Sequence, residues 1–454
     1  MAELISYLKE YESRLGRNAT VSIYGYGTTG RAIYEKIKDR FSVTIRDRAE
    51  EITDAPPCRL MLGRDAEGEI FEDALLISPS IRRDSEQLMR ARARGVLLTS
   101  DTEVFFDGNK IPAFTVTGSD GKSTTATLTH RLISGLYSAT LCGNIGTPFC
   151  TADQGNTDAI VAELSSFSLT YLKPHSVRAA ITNIEPNHLN WHKNFEEYRA
   201  AKLAILENAR EAVLPFDRNI IDTYQGDIFA LFSTRDTYLD MKAARRAEIY
   251  YSIDGEWILL NGKRFISICD IVRKEEYNLK NLMCALALSC GYTTDGTVRE
   301  VARSFTGISH RAEVVATVDG KRYIDSSIDT TPSRVKATLE NIKGRVNIIL
   351  GGRSKGLSIE PMLELLSERC EYIAIYGEVG EEYYRILKEK GFSPKRLAMC
   401  CRFDDAFSFV YDNRECADVI LLCPACTSYG EFHDYRERGE RFKKLVENIT
   451  KQRN

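Results

Sequence analysis

What the chain lacks narrows its function first. No stretch approaches the roughly 18 consecutive apolar residues that cross a bilayer. The opening MAELISYLKEYESRLGR carries Glu3, Glu10 and Glu12 among its apolar residues, without the basic start and unbroken apolar core of a secretory leader. A cytoplasmic protein is therefore expected. A large charge excess is also missing: 61 Lys and Arg against 64 Asp and Glu leave a net −3, which excludes a broad basic footprint for nucleic acid. Zinc motifs are incomplete. Cys423-Pro-Ala-Cys426 has no second CxxC to make a Cys₄ site, and it follows the strand-like Val419–Leu422 rather than opening a thioredoxin-like unit. The 12 cysteines are read as reduced thiols, many of them buried. His188 and His192 have a spacing that would share a helix face, but HLNWH lacks the glutamate of the HExxH protease motif.

At 454 residues, 43% hydrophobic and 28% charged, the chain exceeds one ordinary core, and a usual domain size of roughly 150 residues predicts about three α/β domains. Val21-Ser-Ile-Tyr runs into Gly25-Tyr-Gly27-Thr-Thr-Gly30, then a helical pattern, then Val43-Thr-Ile45 and Asp47. Strand, GxGxxG turn, helix, strand and acid make the dinucleotide-binding pattern, in which glycines let the backbone approach a diphosphate at a helix N-terminus. Taken alone it suggests an NAD-dependent oxidoreductase. The segment closes near residue 100.

A second glycine turn, TGSDGKSTT at 117–125, follows the apolar run Ile111–Val116. Gly118 lies only three residues before Gly121, so the general GxxxxGK[ST] spacing fails, yet the physics survives. The two glycines permit tight turns, and the N–H groups through Ser119 and Asp120 with the following helix dipole suit anionic oxygens. Lys122 offers a point charge, and the Ser123 or Thr124 hydroxyl suits Mg²⁺. An ordinary strand-to-helix turn is the plainer alternative, and Lys-Ser-Thr-Thr in register argues against it. Further along, CGNIG (142–146) is another glycine turn, and Glu163 is a lone acid ending the apolar run Ala159–Ala162, a candidate metal ligand or base.

These pieces in this order resemble the Mur ligase family over nearly the whole chain. The branch with TGxNGKST, GGNIG, ELSSFQLE, EDHxDRH, AAKxxI, GLPHR, LGGxxKG and SPACASxDQFxxFxxRG is matched by TGSDGKST, CGNIG, ELSSFSLT, PNHLNWH, AAKLAI, GISHR, LGGRSKG and CPACTSYGEFHDYRERG. The resemblance implies a three-domain architecture: an N-terminal Rossmann-like domain (1–100) for a UDP substrate, a central P-loop-type ATPase domain (101–307), and a C-terminal Rossmann-like α/β domain (308–454) for an amino acid. It implies an ATP-dependent amide ligase of peptidoglycan synthesis that phosphorylates a carboxylate and adds D-glutamate to UDP-N-acetylmuramoyl-L-alanine, acting as a monomer. A relative adding L-glutamate or another amino acid, or a folylpolyglutamate-type ligase, is the alternative; a non-catalytic nucleotide binder would not need both metal-ligand sets.

By the same resemblance Lys122 binds the β- and γ-phosphates, and Ser123 or Thr124 with Glu163 holds one Mg²⁺. A second Mg²⁺ sits near His188 and Lys202, the lysine carbamylated. Asn144 contacts the transferring phosphoryl or substrate, Asn278 and Asn281 meet the adenine, and Arg311, after His310, reaches the ATP phosphates. Gly27, Thr28, Thr29, Asp47 and Arg48 line the UDP site, and Ser165 joins the substrate residues. Thr330, Ser428 and Tyr435 belong to the amino-acid pocket. Where relatives read NDSKATN, this chain has DSSIDTTP, so Ile328 replaces the lysine; Asp325 or Asp329 and Lys355 are the candidate replacements for the pocket's charges. Asn187 replaces an Asp beside His188, and Asp120 replaces an Asn in the loop, where it is expected to point away from the ligand.

Overall fold

Among the described residues twenty short strands, most of them with buried apolar side chains, build three sheets. The computed structural model describes residues 3–52, 55–189, 191–235, 237–244, 247–354 and 357–453. The first sheet holds β1 (Thr20–Tyr24), β2 (Ser42–Asp47), β3 (Arg59–Leu62), β4 (Ala74–Ile77) and β5 (Leu97–Thr99), all parallel, in the order β3-β2-β1-β4-β5. Strand order reverses between β1 and β4, the kind of switch point at whose carboxyl ends open α/β sheets generally bind ligands.

The central sheet contains β6 (Ala113–Thr117), β7 (Ala139–Gly143), β8 (Ala159–Glu163), β9 (Ser176–Ile181), β10 (Ala209–Pro215), β11 (Ile228–Phe232), β12 (Ile249–Asp254), β13 (Trp257–Leu260) and β14 (Lys263–Ser267). Their order is β14-β13-β12-β11-β10-β9-β6-β8-β7, parallel from β7 to β12 and antiparallel beyond. β6 and β8 are buried at every residue, as expected for parallel strands covered on both faces. The helix Glu276–Ser289, whose NLMCALALS stretch is apolar on almost every side, is buried along most of its length and packs against the helix Lys122–Ile133.

The third sheet runs β15-β16-β20-β17-β18-β19, from β15 (Glu313–Val318), β16 (Lys321–Asp325), β17 (Val346–Gly351), β18 (Cys370–Tyr376), β19 (Leu397–Cys400) and β20 (Val419–Ala425). Only the β15–β16 pair is antiparallel. The fold is α/β throughout. The chain divides into compact units Met1–Phe305, carrying the first two sheets, and Thr306–Asn454. All twelve cysteines are free thiols. Among the described residues no helix is long and apolar enough to cross a membrane.

Candidate functional site

The carboxyl ends of three neighbouring strands, β6, β7 and β8, bring together residues that lie far apart in the sequence. The loop after β6 turns through Gly118 (φ 155°) and Gly121 (φ 78°) before the helix at Lys122. A Cβ on Gly118 would stand 1.8 Å from Thr182 Oγ1, and one on Gly121 would stand 2.2 Å from Asn281 Oδ1. Glycine is thus required by conformation and by space. The Asn183 side-chain oxygen accepts the N–H groups of Ser119 and Asp120, both at 2.9 Å. The buried Ser119 hydroxyl bonds the Glu185 backbone and the Tyr198 hydroxyl.

Two lysines converge on this loop. Lys122 Nζ donates to the carbonyls of Gly118 (2.8 Å) and Ser119 (2.7 Å). Lys202 Nζ, from the helix Phe195–Leu203, donates to the same Gly118 carbonyl at 2.6 Å. Lys202 is only 2% exposed, and burial first, then the Lys122 charge, hold its pKa well below the ordinary lysine value. Burial and a second ammonium on the same carbonyl both disfavour its charged form. Glu163, ending β8, is 3% exposed, and its Oε2 has no hydrogen-bond partner among the described residues. A buried carboxylate oxygen left unpaired beside a phosphate-type loop fits a cation. Asp120 is exposed, yet its charge acts on Lys202 and Tyr198.

The CGNIG turn packs onto β8: Gly143 (φ 104°) has its α-carbon so close to Glu163 that a Cβ would meet the Glu163 carbonyl at 2.2 Å, and the Asn144 N–H donates to that carbonyl. The Asn144 side chain is exposed at the mouth. Ser123 and Thr124 are half-buried in the first helical turn. Asn281 accepts from Thr125, while Asn278 donates to Glu275 and lines a slot with Leu128, Ile271, Arg273, Leu282 and Phe305. Ser165 uses its hydroxyl to cap the helix Ser166–Leu169.

The two histidines do not share a helix face. His188 has φ 53°, a left-handed conformation, and the N–H groups of Trp191 and His192 return to its carbonyl at 3.0 Å, making a turn. The spacing of four is that of one closed turn, not of a continuing helix. His188 is exposed, its ring 5.0 Å from Phe167 and 6.4 Å from Tyr198, and Lys202 Nζ lies 4.7 Å from the same Tyr198 ring. His192 is buried on Ser166 Oγ (3.0 Å), where burial pushes its pKa down to about 4.

In the first sheet, a Cβ on Gly30 would meet the Gly25 carbonyl at 2.1 Å, so the glycine turn lies tight on its helix. Gly27 caps the helix Thr28–Ile37 without a side chain, leaving Thr28 exposed and Thr29 half-buried at an open helix N-terminus. Asp47 accepts the N–H groups of Tyr26 (2.7 Å) and Ala49 (2.9 Å), which ties the turn to β2. Arg48 pairs with Glu67 on the surface.

Within the unit Thr306–Asn454, His310 Nδ1 meets Asp325 at 2.7 Å, and Arg311 is exposed. Asp325 also accepts the Ser327 N–H. Asp329 is buried and accepts from Ser326, Thr338 and the Cys423 thiol. Neither aspartate faces outward, so the replacement acid expected among them is committed to the interior. Lys355 lies outside the described residues. Ile328 and Thr330 are half-buried, Ser428 is buried, and Tyr435 sets its ring edge-on to His310. Burial raises the Cys423 thiol pKa, and Cys426 donates to Tyr383, so the CPAC pair is packed interior.

Sequence reasoning missed Thr182, Asn183 and Tyr198, which shape the loop, and Arg438. Fully buried, Arg438 bonds Ser327, the Cys426 and Gly351 carbonyls and the Tyr376 hydroxyl, tying together the ends of β16, β17 and β20. Asn183 stands five residues before His188, and Tyr198 one helical turn before Lys202.

A phosphate-type loop, a buried lysine and an acid with an unpartnered buried oxygen at the carboxyl ends of parallel strands, in a chain of three α/β sheets, define a nucleotide-dependent enzyme. Residues 116–289 match the Mur ligase middle domain. A UDP-N-acetylmuramoylalanine–D-glutamate ligase of Ruminiclostridium cellulolyticum is 32% identical over 95% of this chain and 97% of its own. One of Acetivibrio thermocellus is 29% identical over 97% and 99%. The fold is similar to the crystal structure of the UDP-N-acetylmuramate-alanine ligase MurC of Thermotoga maritima, with a TM-score of 0.55 and 18% identity, over 95% of this chain and 100% of that one. The chain belongs to the Mur ligase family.

Proposed function

We propose that the chain joins D-glutamate to UDP-N-acetylmuramoyl-L-alanine with ATP, a cytoplasmic step of peptidoglycan synthesis, through an acyl phosphate. The observation that carries the chemistry is the convergence of Lys122 and Lys202 on one carbonyl beside the unpaired Glu163. The D-glutamate relatives matched along nearly the whole chain carry the substrate.

In this reading the backbone N–H groups of the 118–121 loop and Lys122 hold the ATP phosphates in line with the substrate carboxylate, and positioning supplies most of the rate. The amine of the amino acid then displaces phosphate to give the amide. Asn144, at the mouth, orients the carboxylate. Glu163, Ser123 or Thr124, His188 and Lys202 would hold Mg²⁺, which supplies charge neutralisation on the phosphates when bound. Burial suits Lys202 to carbamylation: its neutral amine attacks the carbon of CO₂ and loses a proton to give a carbamate, so a side chain that would repel the metal if protonated becomes an anionic oxygen ligand. Gly27, Thr28, Thr29 and Asp47 receive the UDP moiety, and Thr330, Ser428 and Tyr435 the amino acid.

The test is phosphate release from ATP and Mg²⁺ with UDP-N-acetylmuramoyl-L-alanine and, in parallel, D-glutamate, L-glutamate or no amino acid. Release with D-glutamate alone is expected. Release with L-glutamate instead would move the specificity, and no release with either would refute the ligase.

A further inference from the structure

The segment after β4, Ser78 to Ser85, touches two places at once. At one end the Ser78 N–H donates to the Tyr24 carbonyl at 2.8 Å, and Ser78 Cβ would lie 2.7 Å from a Cβ on Gly25, so this end is packed against the glycine turn of the first sheet. At the other end it grips the turn that carries His188. The Trp191 indole N–H donates to the Ser80 carbonyl at 2.8 Å. Arg82 lays its guanidinium over the Trp191 ring at 4.8 Å and donates to the Trp191 carbonyl at 2.6 Å. It also donates to Glu197 (3.0 Å) and to Asp84 (2.6 Å). Glu197 in turn accepts the Lys193 N–H.

His188 needs such support. Its left-handed backbone is disfavoured for a non-glycine residue, and its ring is exposed, so burial does not fix it. Among the contacts that hold it are the pair of hydrogen bonds from Trp191 and His192 to its carbonyl and the ring of Phe167, which meets His188, Trp191 and His192. Arg82 closes the Trp191 side with a flat, two-pronged group that stacks and hydrogen-bonds at once, which a lysine cannot reproduce.

We propose that Arg82 is a positioning residue: through Trp191 and Glu197 it fixes the His188 turn against the segment that packs on the glycine turn of the first sheet. The role rests on the ligase reading above, because His188 matters only if that site works. The clamp therefore ties the histidine's placement to the end of the first sheet where the UDP moiety is proposed to bind.

Trp191 is one of two tryptophans, so Trp257→Phe leaves it as the sole indole reporter. In that background Arg82→Met, Arg82→Lys and Glu197→Gln are compared for acrylamide quenching of Trp191 and for steady-state kinetics with ATP, Mg²⁺, UDP-N-acetylmuramoyl-L-alanine and D-glutamate. Arg82→Met should raise the quenching constant at least twofold and lower kcat about 10- to 100-fold, with KM for ATP within twofold of the parent. Arg82→Lys should recover little of either. Glu197→Gln, which leaves the arginine in place, should show the same pattern at smaller size and keeps the test open should Arg82→Met fold poorly. Unchanged quenching, or raised quenching with unchanged kcat, overturns the proposal. A parent without turnover refutes the ligase reading and the catalytic role of the clamp with it, while the quenching data still report separately whether Arg82 holds Trp191.

Discussion

Gly118→Ala tests the phosphate loop with a magnitude set by geometry. Alanine at φ 155° lies where L side chains are rarely found, a strain of about 1–3 kcal/mol. Its Cβ would stand 1.8 Å from Thr182 Oγ1 and 3.2 Å from the Thr182 backbone nitrogen. Thr182 is 1% exposed, and its hydroxyl donates to the Asp120 carbonyl. Rotating that hydroxyl away loses a hydrogen bond of about 1 kcal/mol, and the remaining tight contact adds an overpacking cost of about 1–3 kcal/mol. The sum, about 3–7 kcal/mol, rivals the whole stability of an ordinary domain. Urea unfolding followed by circular dichroism should show this loss, and ATP affinity should fall with it. Thr182→Ala removes the clashing oxygen, so the double variant should be more stable than the two single losses predict, by about 1–3 kcal/mol of coupling. Thr182→Ser keeps that oxygen and should give no rescue. A Gly118→Ala protein as stable as the parent, or equal rescue by serine and alanine, would refute the steric account of the loop.

Lys122→Ala should abolish ATP turnover with the circular dichroism spectrum unchanged, because the side chain is half-buried and donates to carbonyls of its own loop; undiminished turnover would place the phosphates elsewhere. Lys202→Ala should also lose activity and regain part of it with added short-chain carboxylates, which replace the carbamate oxygens; a wild-type rate would remove the carbamate from the mechanism. Asp101, buried and accepting backbone N–H groups of Thr102, Phe149 and Cys150, has its pKa raised by burial from 3.8 to about 6. The folded state therefore binds more protons than the unfolded state between those values, and stability falls as pH rises through that window, by about 3 kcal/mol in full. Asp101→Asn should flatten this part of the pH profile of urea midpoints, and a slope identical to the parent's would show that Asp101 does not carry it.

The parts of the site written in local sequence were legible. Two glycines, Lys-Ser-Thr and a preceding apolar run suffice to place a strand, a turn and a helix N-terminus, and a lone acid closing an apolar run marks Glu163. What escaped depends on neighbours brought by the sheet. Thr182 restricts Gly118 because β9 lies beside β6, and Asn183 holds the loop from the end of that same strand, a pairing no short motif encodes. The His188–His192 spacing fits a helix face or one closed turn equally well, and only the left-handed backbone at His188 decides between them. Arg438 shows the converse problem, since a charge within YRERGER reads as a solvated helix residue until its burial is seen. The same difficulty governs the amino-acid pocket. In DSSIDTTP the acids look like substitutes for those of relatives, yet freeing Asp325 would break its bonds to His310 and Ser327, and freeing Asp329 those to Ser326 and Thr338. Each loss leaves buried donors unpaired at about 1–3 kcal/mol apiece, so both aspartates are engaged in holding the fold.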